Sequence, residues 1–422
     1  MPGARPPEVD VAVVGAGMVG LPLALALERA GLDVALIDRA AIAPARHGAG
    51  ADGTDGTDGT DGTGASDPLD ARCTALAAGT VDWLGSQGLW RARAARAAAI
   101  RRVRVSHRGR FGATRIDAAE LGRDALGEVV DNAAFVASLG DALGASAILV
   151  RAGASVGAVR EVPGALELEL APCGPGTADA PRPDAASRLR ARLLVVADGA
   201  GSSTRSLLGI DSRRTDHDQL AVLGGVALES DHESIAHERF TDSGPLALLP
   251  RPGRAASYVM CIDPEAREAL EGLDDAAWLA HLQERFGRRA GRFLRAGSRV
   301  FVPLARVEAS ATRAPRALLL GNAARLLHPV AGQGYNLAAR DVAALVRALD
   351  GAPDPGDAAL LARYERDRRA DRRRTVAATD ALARAFRGRA SGPARLRAAG
   401  LLGLDLAGPA RRAFARASAG LA

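Results

Sequence analysis

The chain contains no lysine. All 55 basic residues are arginine, and against 49 acidic residues they leave a formal charge of only +6 over 422 residues. The sequence pI near 10.1 therefore reflects a biased, arginine- and alanine-rich composition rather than a phosphate-binding surface. Aromatic residues are 3 % of the chain, so platforms for stacking bases are scarce and nucleic acid is not an expected partner. Cysteine is nearly absent. Cys73, Cys173 and Cys261 are odd in number and widely spaced, which fits neither a disulfide framework nor a metal site and suits a reducing cytoplasm. Long apolar runs are missing too. Val11 to Leu27 is uncharged, but Gly15, Gly17, Gly20 and Pro22 interrupt it, so it reads as strand, turn and helix, not as a signal or membrane segment. What is present is a hydrophobic fraction of 48 %, ample for a core in a chain long enough for two or three domains.

Val9 to Val14 is a buried-strand pattern that runs into Gly15-Ala16-Gly17-Met18-Val19-Gly20. A helical pattern follows to Ala30, Gly31 ends it, and Val34 to Ile37 reads as a second strand closing on Asp38 and Arg39. In that setting each glycine has its own task. Gly15 allows the tight turn, Gly17 lets a pyrophosphate approach the backbone, and Gly20 lets the helix pack on the strand. Asp38 can accept hydrogen bonds from a ribose. The pattern predicts a bound dinucleotide without distinguishing NAD from FAD.

A further strand pattern, Arg192 to Ala197, ends at Asp198-Gly199 and leads to Ser202, Ser203 and Arg205. An aspartate at a strand end beside a glycine turn suits polar contacts to a cofactor's linker. The plainer alternative is an Asx turn with Ser202 or Ser203 capping the next helix. The richest segment comes later. Ala317 to Leu320 is apolar and ends at Gly321-Asn322; His328-Pro329 and Gly332-Gln333-Gly334 follow, and a helical pattern starts near Asn336. Gly332 and Gly334 let backbone N–H groups come close to a ligand, and the helix behind them aims its positive end at the same point.

Taken in order, these segments resemble the motifs of the single-component FAD-dependent aromatic hydroxylases. Asp70-Ala71-Arg72-Cys73, Ser106-His107-Arg108-Gly109 and Gly244 to Pro250 narrow the resemblance to the ubiquinone-biosynthesis hydroxylases, over about residues 9 to 420. The nearest branch is the one that hydroxylates 2-polyprenyl-6-methoxyphenol, which carries Gly-Asn where most relatives carry Gly-Asp; the Asn322 amide oxygen can accept the same bond from a ribityl hydroxyl.

The resemblance implies an α/β fold: a Rossmann-like FAD-binding domain intertwined with a mixed β-sheet substrate domain, plus C-terminal helices. It implies FAD as cofactor and NAD(P)H as a transient co-substrate, in keeping with the absence of a second GxGxxG. It also implies a flavin C4a-hydroperoxide that hydroxylates the ring of a polyprenylated (methoxy)phenol in ubiquinone biosynthesis. The cofactor contacts it assigns are Gly15, Gly17, Gly20, Asp38, Arg39, Arg72, Asp198, Gly199, Asn322, Gly332, Gly334 and Asn336, with His328, Pro329 and Gln333 at the reaction centre. No general base stands out. His328 precedes a proline and reads equally well as a turn residue, and His107, a lone loop histidine, reads as solvent-facing. Leu246 to Leu249 would line a prenyl channel or simply be core. The other readings are a same-fold flavoenzyme with a different aromatic or prenyl substrate, and a non-catalytic subunit of a biosynthetic assembly.

The implied organisation divides the chain into residues 8–105, the first part of the FAD lobe with an insertion at about 44–68; 106–130, a substrate-side segment; and 131–210, the second part, with an insertion at about 172–187. Residues 211–305 form the substrate sheet, 306–356 the third part of the FAD lobe, and 357–422 the C-terminal helices. The fourfold Asp-Gly-Thr repeat at residues 52–63 reads as a repeat expansion in a tolerant surface loop. The run Arg366 to Arg374 reads either as a solvated helix face with internal aspartate pairs or as a surface that docks on anionic lipid or a partner. Expected partners are a prenylated phenol, a homo-oligomer or the ubiquinone-making assembly, and the inner membrane surface from its cytoplasmic side.

Overall fold

The computed structural model describes residues 6–40, 67–109, 112–173, 187–241, 244–328, 332–385, 400, 402–403 and 405–421. The Asp-Gly-Thr repeat, most of the second insertion and Pro329 lie outside the described residues.

From Val11 onward the strand Glu8–Val14 alternates its side chains between two cores, as a strand must. Val11 and Val13 face the helices Gly20–Arg29 and Gln333–Leu349, while Val9, Ala12 and Val14 face the hairpin of Ala154–Val162 and Ala165–Pro172. With both faces covered, the strand reads as a near-continuous apolar run, which favours parallel pairing. Five strands are indeed parallel, in the order Ala317–Leu319, Arg188–Val196, Glu8–Val14, Val34–Asp38, Leu149–Ala152. The first strand of the chain sits in the middle, and the winding reverses direction beside it. A crevice opens at the carboxyl ends of the strands at such a switch point, and all three glycine motifs follow strands of this sheet.

The second sheet has nine strands, antiparallel except where Ile235–Thr241 runs beside Arg102–His107. Its outer face carries the helix Asp275–Phe286, whose Trp278, Leu282 and Phe286 pack on Leu246, Leu248, Tyr258 and Met260. The buried indole N–H of Trp278 donates to the Tyr258 hydroxyl at 3.1 Å, so neither polar tip is orphaned. The inner face looks toward a small three-stranded sheet of Cys73–Ala77, Gly127–Asp131 and Ala98–Ile100, and Ala236 and Leu249 pack there with Ile100, Val129, Cys73 and Ala75. Leu246 and Leu248 are thus core, and Leu249 alone of the apolar leucines in that strand turns toward the space between the sheets.

The long helix Ala358–Ala385 lies against Gln333–Leu349, and the arginine run divides between two environments. Arg368 Nε donates to Asp341 at 2.6 Å and Arg372 Nε to both Asp341 oxygens at 3.1 and 3.0 Å. All three side chains are largely withdrawn from water. Arg366, Arg369, Arg373 and Arg374 are exposed. Neither uniform reading of the run holds: one stripe of it is a buried clamp. Among the described residues no helix is long and apolar enough to cross a membrane, and no cluster of residues suits a metal ion.

Candidate active site

The GxGxxG loop is shaped by contacts that leave no room for side chains. Gly15 has φ +104°, and a Cβ there would stand 2.6 Å from the Ala197 carbonyl oxygen; at Gly20 it would stand 1.8 Å from that of Gly15. These two glycines serve packing of protein on protein. Gly17 differs: a Cβ would meet nothing within 4 Å, so its bare backbone is open to a ligand. Asp38, at the end of the second parallel strand, accepts the Ala16 N–H at 2.6 Å and the Ala40 N–H at 2.7 Å, which holds the loop against the strand end.

Beside it lies a cavity of about 160 Å³ lined by Gly15, Asp38, Arg39, Ser155, Asp198 and Thr204, among others. Asp198 accepts the Thr204 hydroxyl at 3.0 Å through one oxygen. Its other oxygen is buried without a hydrogen-bond partner, which is costly unless a donor arrives. Ser202 caps the following helix by accepting the Arg205 N–H at 2.9 Å. The capping alternative and the open aspartate therefore coexist. Gly199, with φ +95°, has nothing within 4 Å of a Cβ position.

The third motif folds onto the first. A Cβ at Gly321 would lie 3.2 Å from Val19 of the GxGxxG loop, and Asn322 beside it is exposed. Gly332, at φ 58° and ψ 24°, is the N-cap of Gln333–Leu349; a Cβ there would be 3.8 Å from Ala75, and at Gly334 nothing would lie within 4 Å. The Tyr335 hydroxyl donates to the Met18 carbonyl at 3.1 Å. Burial pushes that phenol's pKa upward, so it stays a donor. Asn336 is buried, with its oxygen accepting from Ala77 N–H at 2.7 Å and the Thr80 hydroxyl at 3.0 Å, and its nitrogen donating to the Ala75 and Gly332 carbonyls at 3.0 Å each. The whole amide is committed to protein. It fixes the position of Gly332 and has no group left over for a ligand.

Two residues not assigned as cofactor contacts turn out to join the motifs. One is Tyr335. The other is Arg205, buried, whose guanidinium donates to the carbonyls of Ala200 at 3.2 Å and Ala323 at 3.0 Å and to the Ser212 hydroxyl at 3.2 Å. It braces the Asp-Gly loop against the Gly-Asn turn. An arginine in the first turn after a serine cap was the only signal.

The remaining candidates lie in different surroundings. His328 is buried and meets His217 edge to face at 5.2 Å. Gln333 begins the helix and is half-buried, Arg39 is exposed at the cavity rim, and Arg72 is exposed while its carbonyl accepts the Asn132 N–H at 2.9 Å. His107, expected to face solvent, is instead buried at the end of a sheet strand, its Nδ1 2.9 Å from the Arg108 carbonyl. The pairing of Arg102–His107 with Ile235–Thr241, one strand in from the edge of the large sheet, is long-range and so was not visible locally.

An FAD binding domain family model matches residues 8–51 and 66–379. Ubiquinone hydroxylase UbiL of Rhodospirillum rubrum is 33 % identical over 418 residues, covering 97 % of this chain and 89 % of the relative. The chain belongs to the FAD-dependent hydroxylases of ubiquinone biosynthesis. The 3-demethoxyubiquinol 3-hydroxylase of Escherichia coli is 32 % identical over 368 residues, 86 % of each chain. Among solved structures, p-nitrophenol 4-monooxygenase PnpA of Pseudomonas putida superposes with a TM-score of 0.71 at 19 % identity over 97 % of both chains. PqsL of Pseudomonas aeruginosa, in complex with 2-aminobenzoylacetate, gives 0.70 at 22 % over 94 % of this chain and 100 % of that one. At those identities the likeness is one of fold.

This hydroxylase uses FAD, and NAD(P)H as co-substrate is typical of the family. The residues fit the cofactor. Open backbone at Gly17, Gly199 and Gly334 allows close approach, and the orphaned Asp198 oxygen needs a donor such as a cofactor hydroxyl.

Proposed function

We propose that this hydroxylase oxidises the ring of a polyprenylated (methoxy)phenol on the way to ubiquinone, with NAD(P)H and oxygen as co-substrates. The observation that supports it best is the meeting of residues 15–20, 198–205, 321–328 and 332–336 at the carboxyl ends of the parallel strands, with Gly332 beside Ala75 of the small sheet that the nine-stranded sheet packs on. The names of the full-length relatives point to a ubiquinone intermediate. In the proposed division of labour, residues 8–105, 131–210 and 306–356 carry FAD, and 106–130 with 211–305 cover the substrate.

When bound, FAD supplies the electron relay from NAD(P)H to oxygen. The chain's own part is binding, orientation and exclusion of water. Asp38 and Arg39 would hold the adenosine end, Gly17 and Gly199 admit the pyrophosphate, and Asn322 and Asp198 take polar groups of the linker. Gly332, Gln333 and Gly334 would lie along the ring system, with the positive end of Gln333–Leu349 behind them. Leu249, Ala75 and Val129 make the facing wall apolar, which keeps water from the reacting ring.

The test is a purified chain assayed for flavin absorbance and for NAD(P)H oxidation in air, with and without a short-chain prenylphenol. Stoichiometric hydroxylated product supports the reading. A chain that neither carries nor takes up FAD leaves only an assembly subunit, and oxidation without a hydroxylated phenol points to other chemistry on the same fold.

The proposal extends to location. The C-terminal region exposes Leu406 and Phe414 and also Arg412 and Arg416, apolar and basic groups of the kind that rest on an anionic membrane surface where a prenylated substrate resides. Replacing Phe414 by Ser and Arg412 by Glu should reduce co-sedimentation with anionic vesicles; unchanged co-sedimentation removes this part.

A further inference from the structure

The inner face of the nine-stranded sheet contains a row set by strand register: Thr114, Val105, Glu238, Ala247, Val259 and Leu223 stand side by side across six strands. Glu238 is the one ionisable group in that row. Residues opposite one another in a sheet share a face, and the neighbour His237 points the other way, onto Phe286 at 5.3 Å. Glu238 is two residues, about 6.8 Å of strand, from Ala236, which packs in the cluster that includes Ala75. Ala75 in turn adjoins Gly332. The carboxyl therefore shares the sheet face that packs against the strand Cys73–Ala77, beside which Gly332 lies.

Its side chain is half-buried, and among the described residues it has no hydrogen-bond or ion-pair partner. An unpaired carboxylate in an apolar wall weakens the fold, and such groups concentrate where they meet a ligand. We infer that Glu238 binds the ring hydroxyl of the substrate and accepts its proton. This rests on the hydroxylase reading above. In the step, the phenolic O–H bond breaks, its proton joins a carboxylate oxygen, and the electron pair stays on the phenol oxygen, where it enriches the ring carbons that are to be oxidised. No oxidant or reductant enters this step.

Burial pushes the Glu238 carboxyl up to about 7, a basicity suited to a proton acceptor at neutral pH. The groups around it leave that value in place. On its own face the nearest titratable neighbours are the Cys261 thiol, itself raised chiefly by burial and then by the Glu238 charge, and His107 in the adjoining row. Arg251 lies two rows away along Gly244–Arg251. The arginines Arg104, Arg239 and Arg289 gather around His237 on the far side of the sheet.

The experiment compares wild-type holoenzyme with Glu238→Gln, using a short-chain prenylphenol and measuring product per NAD(P)H, the pH profile, and the phenol dissociation constant from perturbation of the flavin spectrum. FAD content reports whether the variant folds. The expected result is a wild-type acid limb near neutrality, missing in Glu238→Gln, with product yield down at least about tenfold. A Glu238→Leu variant should also weaken phenol binding. Glu238→Gln with the wild-type pH profile, yield and dissociation constant overturns the assignment. Wild-type enzyme that forms no product from any phenol overturns the hydroxylase reading, and this assignment with it.

Discussion

The two sides of the site are made of different material. On the cofactor side the shape comes from backbone: Gly15, Gly20, Gly321 and Gly332 sit at positive φ or against a neighbouring main chain, or both. On the substrate side it comes from side chains alternating along strands, where Leu249 faces the space between the sheets and Leu248 fills the core behind. A backbone site tolerates almost no substitution at the points of closest packing. A side-chain wall tolerates many and takes its chemistry from the few that are polar.

That contrast is sharpest at Gly20. A Cβ placed 1.8 Å from the Gly15 carbonyl has no flexible side chain to displace, so Gly20→Ala should cost more than about 4 kcal/mol. The expected readout is a chain without cooperative thermal unfolding and without bound flavin; a normal melt would show that the loop adapts. Arg372→Leu comes next. It leaves Asp341 buried with one partner fewer and should cost about 3–5 kcal/mol, seen as a lowered urea midpoint, while Arg373→Glu on the exposed stripe should move it hardly at all. Equal shifts for the two would contradict the division of the arginine run.

The substrate wall gives a smaller, pH-dependent effect. The Glu238 carboxyl is raised from its ordinary 4.5 to about 7 in the fold, so its protonated form is favoured there and stability is greatest below the unfolded value. As pH rises from 4.5 through about 7 the fold should lose on the order of 2 kcal/mol, after allowance for partial solvent access. Glu238→Gln should lack that loss, and parallel urea midpoints for the two proteins from acid to neutral pH would refute the assigned shift. Gly17→Ala should have the smallest effect on stability, within about 0.5 kcal/mol, because nothing lies within 4 Å of the new atom. FAD affinity should nevertheless fall by roughly tenfold or more. An unaltered affinity would mean that the cofactor does not pass there.

The same contrast explains what could be read in advance. Positive φ and close approach require glycine, so the cofactor side shows itself in the order GxGxxG, DG, GN, GQG, and the parallel order of the sheet follows from the strands that precede those turns. Side-chain roles were harder to read. Asn336 follows the glycine loop as a cofactor contact would, yet its four hydrogen bonds all go to protein. Arg368 and Arg372 are four apart, one helical stripe, but the aspartate that receives them lies on another helix. Glu238 is not singled out by the sequence; pairing with Val105 and Ala247 places it on the inner wall. Each of these depends on contacts distant in sequence, which local pattern does not encode.

The most direct test of the account is made on purified, FAD-loaded protein with NAD(P)H, oxygen and a short-chain prenylphenol, following flavin absorbance, oxygen uptake and product together. The expected result is a flavoprotein whose NAD(P)H oxidation is stimulated by the phenol and whose oxygen uptake matches ring-hydroxylated product. A flavin-free chain, or oxygen uptake unaffected by the phenol and without hydroxylated product, would contradict it.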